Sequence, residues 1–421
     1  MPALFIMVFL MKMLLLLVLA FALLAAGCAQ TQQTAHSPPI TAGGEQPNSS
    51  IGSGKPAEAS TNQSPQAPAT SPSTATVPPA APIQGPAIPS PEQPYAPEPQ
   101  TAANGTPAAP EPEMERGTID PDFEVTVYNK SAALFGTTIF PDNHISGKPR
   151  IVEVNMLGEV LWVYELPTEW KDYTNPGFDV EPLANGNVLF VLPRKGVFEV
   201  SRDKKIVWSY YDSKVSHDAD RLSNGNTLIA FGAYDTQNDA QAKEVSPSGK
   251  VVWSYYAKKD FFKPPYDTIS DEGWTHTNAV SRLENGNTWV NFRNFNILVE
   301  ISPEGKLVKT INNGEFYYQH DPVLLSDGNI LLANHATPNE ILETDGNGTI
   351  LWRFVMKDRN AWPVRDANRL SNGNTLITGT DRILEITQGG EIVWALKIKN
   401  AQFTQQTAPA LGFYKAERIA P

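Results

Sequence analysis

The chain has 421 residues and a formal net charge of −12. This acidic balance excludes a global basic field of the kind that attracts nucleic acid, so we expect no nucleic-acid partner. The only cysteine, Cys28, cannot form an internal disulfide, and it leaves no second thiol for a metal site or a redox pair.

The first predicted element is an export signal. Residues 4–26 are almost uninterrupted apolar sequence with Lys12 as the only charge, and the run ends in LLAAGC at Cys28. Small residues before a cysteine suit a lipoprotein signal peptidase, so 1–27 is predicted to be a lipoprotein signal peptide and Cys28 to carry a lipid. The alternative is a transmembrane helix, for which the run is long enough. We expect an extracytoplasmic protein anchored to the cell membrane through this lipid.

The second predicted segment, 28–118, is a tether. It consists mostly of Pro, Ala, Ser, Thr, Gln and Gly and has few large apolar residues. Such a segment cannot bury enough apolar surface to offset its ordering entropy, so we expect a disordered linker with polyproline II character. It acts as a spacer, and we assign it no chemistry.

The third segment, 119–421, contains an internal repeat that decides the fold class. The stretches HDADRLSNGNTLIAF, NAVSRLENGNTWVNF and RDANRLSNGNTLITG begin at His217, Asn278 and Arg365. Each contains Asn-Gly, which predicts a type I′ hairpin turn with positive φ at both residues. Four short antiparallel strands at a period of about 40–60 residues are typical of a propeller blade.

The count of equivalent outer strands predicts an all-β, six-bladed propeller of four-stranded antiparallel blades. The first unit lacks its own inner strand, whereas the C-terminal YKAERIA, 414–420, resembles HDADRLS with no hairpin after it. We therefore predict that the C-terminal strand completes the first blade and closes the ring. The tryptophans of the outer strands are interpreted as packing residues between blades. These outer-strand positions are Trp162, Trp208, Trp253, Lys309, Trp352 and Trp394.

Alignment of the turns places several polar residues at one level of the inner strands, which line the channel of a propeller. His276 precedes this level by two residues in its unit and faces the same side, because strand side chains alternate. Arg194, Arg293 and His335 follow at the far ends of second strands. The aligned positions are Phe178, His217, Asn278, His320, Arg365 and Tyr414.

Three interpretations of this level stay open. A polar channel filled by hydrogen-bonded side chains and water is the simplest. Binding of a compact oxyanion is favoured, because Arg and imidazole offer many hydrogen-bond donors. Zinc bound by three histidines is the competing interpretation. The wide spacing around a ring and the nearby arginines argue against it, so we predict no metal.

Residues 120–421 resemble the bacterial arylsulfate sulfotransferases, which are six-bladed propeller enzymes independent of the phosphoadenosine cofactor. The most specific stretch is WTHTNAVSRLENGNTWVNFR, in which Trp274, His276, Asn278 and Arg293 match the family's W-x-H-x-N…R arrangement. The chain departs from the large members of the family, because it has a tether where they have an N-terminal β-domain and it lacks their disulfide.

The resemblance implies a ping-pong transfer of a sulfuryl group from an aryl sulfate to a phenol, with no cofactor and no obligatory protein partner. The matching nucleophile is His320, which would form a sulfohistidine. His217 and His276 match the other two channel histidines, and Arg293 matches the sulfate-binding arginine. Neutral imidazole is a good nucleophile at neutral pH, and Arg293 would meet charge on the sulfuryl oxygens.

The remaining polar residues of the level are expected to bind substrate: Asn278, Tyr414, Arg365 and His335. The alternative function is a non-catalytic, surface-anchored propeller that binds a glycan, a peptide or a partner protein. Convergence of His217, His276, His320 and Arg293 on one place in the fold distinguishes the enzyme from this alternative.

Overall fold

The computed structural model describes residues 113–174, 177–356, 363–399, 401 and 412–421. The predicted signal peptide, the lipidation at Cys28 and nearly all of the predicted tether lie outside these residues. Within the part of the chain that is described, no helix is both long enough and apolar enough to cross a membrane.

The described residues form six antiparallel sheets, which are the blades of a β-propeller, as the sequence predicts. Four sheets have four strands and two have five. The strands are β1 (Thr118–Ile119), β2 (Phe123–Tyr128), β3 (Thr137–Asp142), β4 (Arg150–Val154), β5 (Glu159–Glu165), β6 (Asp179–Pro182), β7 (Val188–Leu192), β8 (Gly196–Val200), β9 (Ile206–Tyr211), β10 (Val215–Arg221), β11 (Thr227–Phe231), β12 (Ala242–Val245), β13 (Val251–Tyr255), β14 (Thr277–Arg282), β15 (Thr288–Phe292), β16 (Ile297–Ile301), β17 (Leu307–Ile311), β18 (His320–Leu324), β19 (Ile330–Asn334), β20 (Glu340–Thr344), β21 (Ile350–Val355), β22 (Asp366–Arg369), β23 (Thr375–Thr378), β24 (Arg382–Ile386), β25 (Ile392–Ile398) and β26 (Glu417–Ile419). Short helical segments lie in the loops at Thr168–Tyr173, Lys258–Phe261, Tyr266–Thr268 and Arg293–Phe295.

Blades 2 to 5 are β6–β9, β10–β13, β14–β17 and β18–β21, each in chain order from the inner to the outer strand. Their apolar core lies between neighbouring blades. In β11, Leu228 and Ala230 pack towards Val290 and Phe292 of blade 4, whereas the alternate residues of the same strand pack towards blade 2. The second strand is therefore buried on both faces, which explains its continuous apolar sequence.

The Asn-Gly turns differ from the predicted type I′ geometry. Only the glycine has positive φ: Gly186, Gly225, Gly286, Gly328 and Gly373 have φ between +82° and +86°. The Gly186 amide donates to the Leu183 carbonyl, which makes a four-residue turn ending at the glycine. The preceding Asn185 accepts from the Asn187 amide at 2.9 Å, so its side chain stabilises the turn without left-handed backbone. The prediction of positive φ at both residues was wrong.

The C-terminal strand closes the ring, and the first two described strands extend its outer edges. The C-terminal strand β26 pairs with β3, with Glu417 opposite Ile139 and Ile419 opposite Thr137, so the predicted closure of the first blade is confirmed. The N-terminal strand β2 adds a fifth, outermost strand to the last blade by pairing with β25, and β1 does the same to β5 of the first blade. These two additions were not predicted, and they cover sheet edges that would otherwise be open.

A repeated clamp joins neighbouring blades and confirms the packing role of the tryptophans. The Trp253 indole donates to the Pro303 carbonyl of the next blade at 2.9 Å. Arg282, from the inner strand of that blade, lies 5.4 Å over the Trp253 ring and 2.6 Å from Glu244. The same arrangement of Trp, Arg and Glu recurs in Trp208–Arg221–Glu199, Trp352–Arg369–Glu343 and Trp394–Arg418–Glu385.

The clamp is absent as a unit between blades 4 and 5. Lys309 occupies the Trp position there, and Leu324 of HDPVLL occupies the Arg position of HDADRL. Between blades 1 and 2 the inner strand also lacks the arginine, because Pro182 occupies its position, and Arg202 lies 5.2 Å over the Trp162 ring instead.

Candidate functional site

The inner strands bring the predicted channel residues into one layer. The ring centroid of His217 in β10 lies 5.6 Å from that of His276 and 5.3 Å from that of Tyr414. The ring of Tyr414 also lies 6.5 Å from His320, and the Arg365 guanidinium carbon lies 5.3 Å from the Tyr414 centroid. All five side chains are buried. We call this set, together with Arg293 and His335, the histidine layer.

Irregular backbone aims these side chains at the channel. The register of the inner strand shifts between Val215 and Ala219 in β10, and comparable shifts occur beside Asn278 in β14 and His320 in β18. Such bulges redirect side chains and are common next to active sites. His276 and Asp321 have φ of +45° and +46°, a left-handed conformation that costs free energy in non-glycine residues.

Asp235 holds His276 in this strained conformation. Its buried carboxylate accepts from the backbone amides of Thr275 and His276 at 3.1 Å and from the Thr275 hydroxyl at 2.8 Å. The Gln241 amide donates to the same carboxylate at 3.2 Å. Sequence analysis missed Asp235 because it lies in an irregular loop outside the repeat, where no spacing marks it.

His320 has one nitrogen that is fixed by a hydrogen bond and one nitrogen that has no hydrogen-bond partner among the described residues. Its Nδ1 lies 2.8 Å from the Tyr318 carbonyl oxygen. A carbonyl only accepts, so Nδ1 carries the proton and the lone pair of the neutral ring is on Nε2. Burial is the largest cause that holds the pKa of His320 well below its usual value, and the charges of Arg365 and Arg293 act in the same direction. The imidazole is therefore neutral at pH 7, which is the form that can act as a nucleophile.

His335 stacks on His320. The two ring centroids are 4.0 Å apart and the ring planes differ by 17°. The His335 Nε2 lies 2.6 Å from the Val364 carbonyl oxygen, so Nε2 carries the proton of this ring. Burial, followed by Arg365, holds the pKa of His335 well below its usual value.

His217 and His276 are also neutral at pH 7. Burial, then His276 and Arg365, holds the pKa of His217 well below its usual value. Burial, then Arg293, lowers the pKa of His276 to about 3. The Nδ1 atoms of both rings are buried and have no hydrogen-bond partner among the described residues. Buried polar atoms of this kind are rare in native proteins, and here they lie in a layer rich in positive charge.

The Arg293 guanidinium is surrounded loosely by one aromatic ring and two carboxylates. Its guanidinium carbon lies 4.3 Å from the centroid of the Tyr318 ring. Its nitrogens lie 3.9 Å from Asp271 and 3.7 Å from Glu272, and both carboxylates are about half exposed. Ion pairs this long and this exposed are weak, so the guanidinium can exchange them for an anionic ligand. The Tyr318 hydroxyl donates to Asp271 at 2.7 Å and fixes the ring beneath Arg293.

Asn278 is engaged within the protein. Its amide nitrogen donates to the Gln319 carbonyl at 3.1 Å, and its oxygen accepts from Asn291. Asn291 donates to the same carbonyl at 2.9 Å, and the Gln319 side chain returns a bond to Asn291 at 2.7 Å. This buried network fixes Gln319, the residue that precedes His320 in the chain. The expected contact between Asn278 and substrate stays a prediction.

A second layer, which we call the acidic layer, lies one residue further along the inner strands. Lys415 Nζ lies 3.0 Å from Asp179, 3.3 Å from Asp218 and 3.0 Å from Asp321. Asp366 accepts from the Ala416 amide at 3.1 Å. The sequence signal was present, because an aspartate follows Phe178, His217, His320 and Arg365 in FDVEPL, HDADRL, HDPVLL and RDANRL.

Burial dominates the protonation of the acidic layer. It raises the pKa of Asp179 to about 7 against the lowering effect of Lys415, and it raises the pKa of Glu417 to about 8. Burial also raises the pKa of Glu181 to about 7. The surrounding carboxylates outweigh burial at Lys415 and hold its pKa well above the usual value. Lys415 is therefore the permanent charge of this layer, while several carboxyls keep their protons near neutral pH.

The histidine layer combines neutral imidazoles with two arginines. No cluster of three or more His, Cys, Asp or Glu residues in a metal-binding arrangement occurs within the described ranges. The chemistry that these residues offer is attack by an imidazole nitrogen on an anionic, electrophilic centre held by guanidinium groups.

Comparison with solved structures finds similar chains at low sequence identity. The chain is similar to a protein of unknown function from Bacteroides caccae, with 18% identity, coverage of 64% of this chain and 96% of that chain, and a TM-score of 0.49. It is similar to a streptogramin B lyase at 15% identity, covering 68% and 90% of the two chains, with a TM-score of 0.43. It is also similar to virginiamycin B lyase from Staphylococcus aureus at 14% identity, covering 65% and 88%, with a TM-score of 0.42.

Two of these similar chains are lyases by name, and similarity at this level carries no conclusion about the activity of this chain. No family model matches the sequence, and no curated protein matches it.

Proposed function

We propose that the protein is an arylsulfate sulfotransferase, which moves a sulfuryl group from a phenolic sulfate ester to a phenol through a sulfohistidine at His320. The observation that carries the proposal is the geometry of His320. Its Nδ1 is fixed by the Tyr318 carbonyl, its Nε2 is free, and its ring is neutral in a layer that also holds Arg365.

In the first half-reaction the Nε2 lone pair of His320 forms a bond to sulfur while the bond between sulfur and the aryl oxygen breaks. The electron pair of the broken bond leaves with the phenolate. In the second half-reaction the oxygen of a phenol forms a bond to the same sulfur while the bond between sulfur and Nε2 of His320 breaks. The electron pair of the broken bond returns to Nε2, so His320 is neutral again, and the proton of the phenol passes to water. The step needs no cofactor, because the group transferred is already activated as an aryl ester.

Arg293 and Arg365 support this chemistry by their charge. Both lower the pKa values of the surrounding histidines, so their fields reach the place where sulfuryl oxygens would lie. An anionic substrate would complete the neutralisation of these charges in a site from which water is largely excluded. The unpartnered Nδ1 atoms of His217 and His276 are further groups available to a ligand.

The test is the release of p-nitrophenol from p-nitrophenyl sulfate, with and without a phenol acceptor. The wild type is expected to give a burst equal to one product per site from the donor alone, followed by turnover when the acceptor is added. His320→Ala abolishes the burst. The matched control is His144→Gln, because His144 pairs with Asp142 outside the layer.

Two further variants test the binding of the sulfuryl group. His276→Ala and Arg293→Ala are each expected to weaken transition-state binding by about 2–4 kcal/mol, the range for removing one preorganised donor. A sulfohistidine at position 320, detected by mass spectrometry under alkaline conditions after donor alone, supports the proposal directly. Absence of phenol release from every aryl sulfate rejects the proposal in favour of the non-catalytic binding propeller. Small and equal effects of all three substitutions on phenol release reject His320 as the nucleophile.

We also propose that the protein is exported and anchored by a lipid on Cys28. The support is the LLAAGC sequence at the end of the apolar run. Cys28→Ala should release the protein from membranes or block its processing. If the variant fractionates as the wild type does, the apolar run is a transmembrane anchor.

A further inference from the structure

His335 is the one member of the histidine layer that lies face to face against the candidate nucleophile. The ring centroids of His335 and His320 are 4.0 Å apart at an interplanar angle of 17°. Each ring is held by a main-chain carbonyl, His320 by Tyr318 and His335 by Val364. The stack is therefore set by the backbone and does not depend on a bound substrate.

The hydrogen bond of His335 limits how this residue could contact a substrate. Because the Nε2 proton is donated to the Val364 carbonyl, the Nδ1 of the neutral ring carries a lone pair. The oxygens of a sulfuryl group also carry lone pairs and only accept hydrogen bonds. A neutral His335 in this tautomer cannot donate a hydrogen bond to sulfate, and the face of its ring lies against His320.

On the proposed function, we infer that His335 stabilises the cationic His320 ring that forms when Nε2 takes the sulfuryl group. The neutral imidazole gains a bond to sulfur and keeps its Nδ1 proton on the Tyr318 carbonyl. The ring then carries one positive charge and the attached sulfuryl group carries one negative charge. The phenolate leaves with one negative charge, so the total charge of the reactants is unchanged. A buried cationic ring over a neutral aromatic face is stabilised by the π electrons of that face.

Two variants distinguish the effect of the aromatic face of His335 from the effect of its ring nitrogens. His335→Phe keeps an aromatic face and loses both ring nitrogens, whereas His335→Leu loses the face and the nitrogens together. Both variants lose the bond to Val364, so each is the matched control of the other. The measurement is the single-turnover rate constant for p-nitrophenol release from p-nitrophenyl sulfate. An unreactive aryl sulfonate serves as the probe of binding.

We expect His335→Leu to form sulfohistidine at least fivefold more slowly than His335→Phe. Both variants should bind the aryl sulfonate within about threefold of each other, because the stack acts only after charge develops. Equal rate constants for the two variants overturn the inference, and so does a slower Phe variant. Selective loss of sulfonate binding in both would assign His335 to ligand binding instead.

Failure of the inference is distinct from failure of the proposed function. If the wild type forms no sulfohistidine from any aryl sulfate, the proposed function is rejected and the inference falls with it. If the wild type reacts and the two variants do not differ, only the inference is rejected. Should His335→Leu fail to fold, His335→Asn replaces it as the flat, non-aromatic variant, with folding checked by near-ultraviolet circular dichroism.

Discussion

The acidic layer gives a prediction about stability, tested by Lys415→Met. Lys415 is buried and forms ion pairs with Asp179, Asp218 and Asp321 at 3.0, 3.3 and 3.0 Å. Methionine has a similar length and no charge, so the substitution removes the cation and leaves the carboxyls in place. Breaking a buried pair by removing one partner costs about 3–5 kcal/mol of unfolding free energy.

The cost should depend on pH, and its sign follows from the protonation of the carboxyls. Burial raises the pKa of Asp179 to about 7 and that of Glu417 to about 8. The native state therefore retains protons that the unfolded chain releases, so stability is full below about pH 4 and is lost as the pH rises through 7 and 8. Each retained proton contributes a slope of about 1.4 kcal/mol per pH unit.

The histidine layer acts in the opposite sense at lower pH. The depressed pKa of His276, about 3, makes the stability from this neutral ring present above pH 6.5 and lost as the pH falls towards 3. Between pH 6.5 and 8 the carboxyls act alone, and the unfolding free energy of the wild type should decline.

The assay is urea unfolding at pH 5, 6.5 and 8, followed by tryptophan fluorescence. Lys415→Met should lose more stability at pH 8 than at pH 5, because the remaining carboxyls must then be held protonated without a cation nearby. The control is Lys397→Met, since Lys397 is exposed on β25. A loss for Lys415→Met that is the same at all three pH values, or that is no larger than in the control, refutes the reasoning.

Three further predictions concern the clamp between blades, the C-terminal strand that closes the ring, and the Tyr318 ring beside Arg293. The double variant Lys309→Trp with Leu324→Arg installs the missing clamp. It should raise the melting temperature by more than the sum of the two single variants, because the guanidinium stacks on the indole. Additive or negative effects contradict this prediction. Deleting 412–421 should lower the melting temperature sharply, because β26 supplies the inner strand of the first blade, and an unchanged value counts against that role. Tyr318→Phe removes the hydrogen bond to Asp271, so the ring beneath Arg293 is no longer fixed. KM for an aryl sulfate should rise by about three- to thirtyfold with little change in the burst amplitude. A lost burst would show that the main chain at Tyr318 had moved.

The repeat made much of the fold predictable. Each unit needs an inner strand, a turn, a buried second strand and an outer strand, and these demands leave a visible period in the sequence. The closing strand was predictable for the same reason, since Arg418 in YKAERI makes the clamp to Glu385 and Trp394 that the Arg of HDADRL makes elsewhere. The N-terminal strands β1 and β2 carry no repeat signal, because they pair only along an outer edge.

Much of the histidine layer was predictable, because alignment of equivalent positions in a ring is also alignment in space. Two aligned positions differ: Phe178 packs in the apolar core, and Asn278 bonds within the protein. The sequence by itself therefore determined the blade count, the closure and the residues that meet in the channel. Only the tertiary structure decided which nitrogen of His320 is free, since that depends on the carbonyl of Tyr318, and it alone showed that His335 stacks on this ring. It also revealed Asp235 and Lys415 as organising residues. Their partners lie far apart in sequence, and a hydrogen bond or an ion pair between distant residues leaves no spacing along the chain.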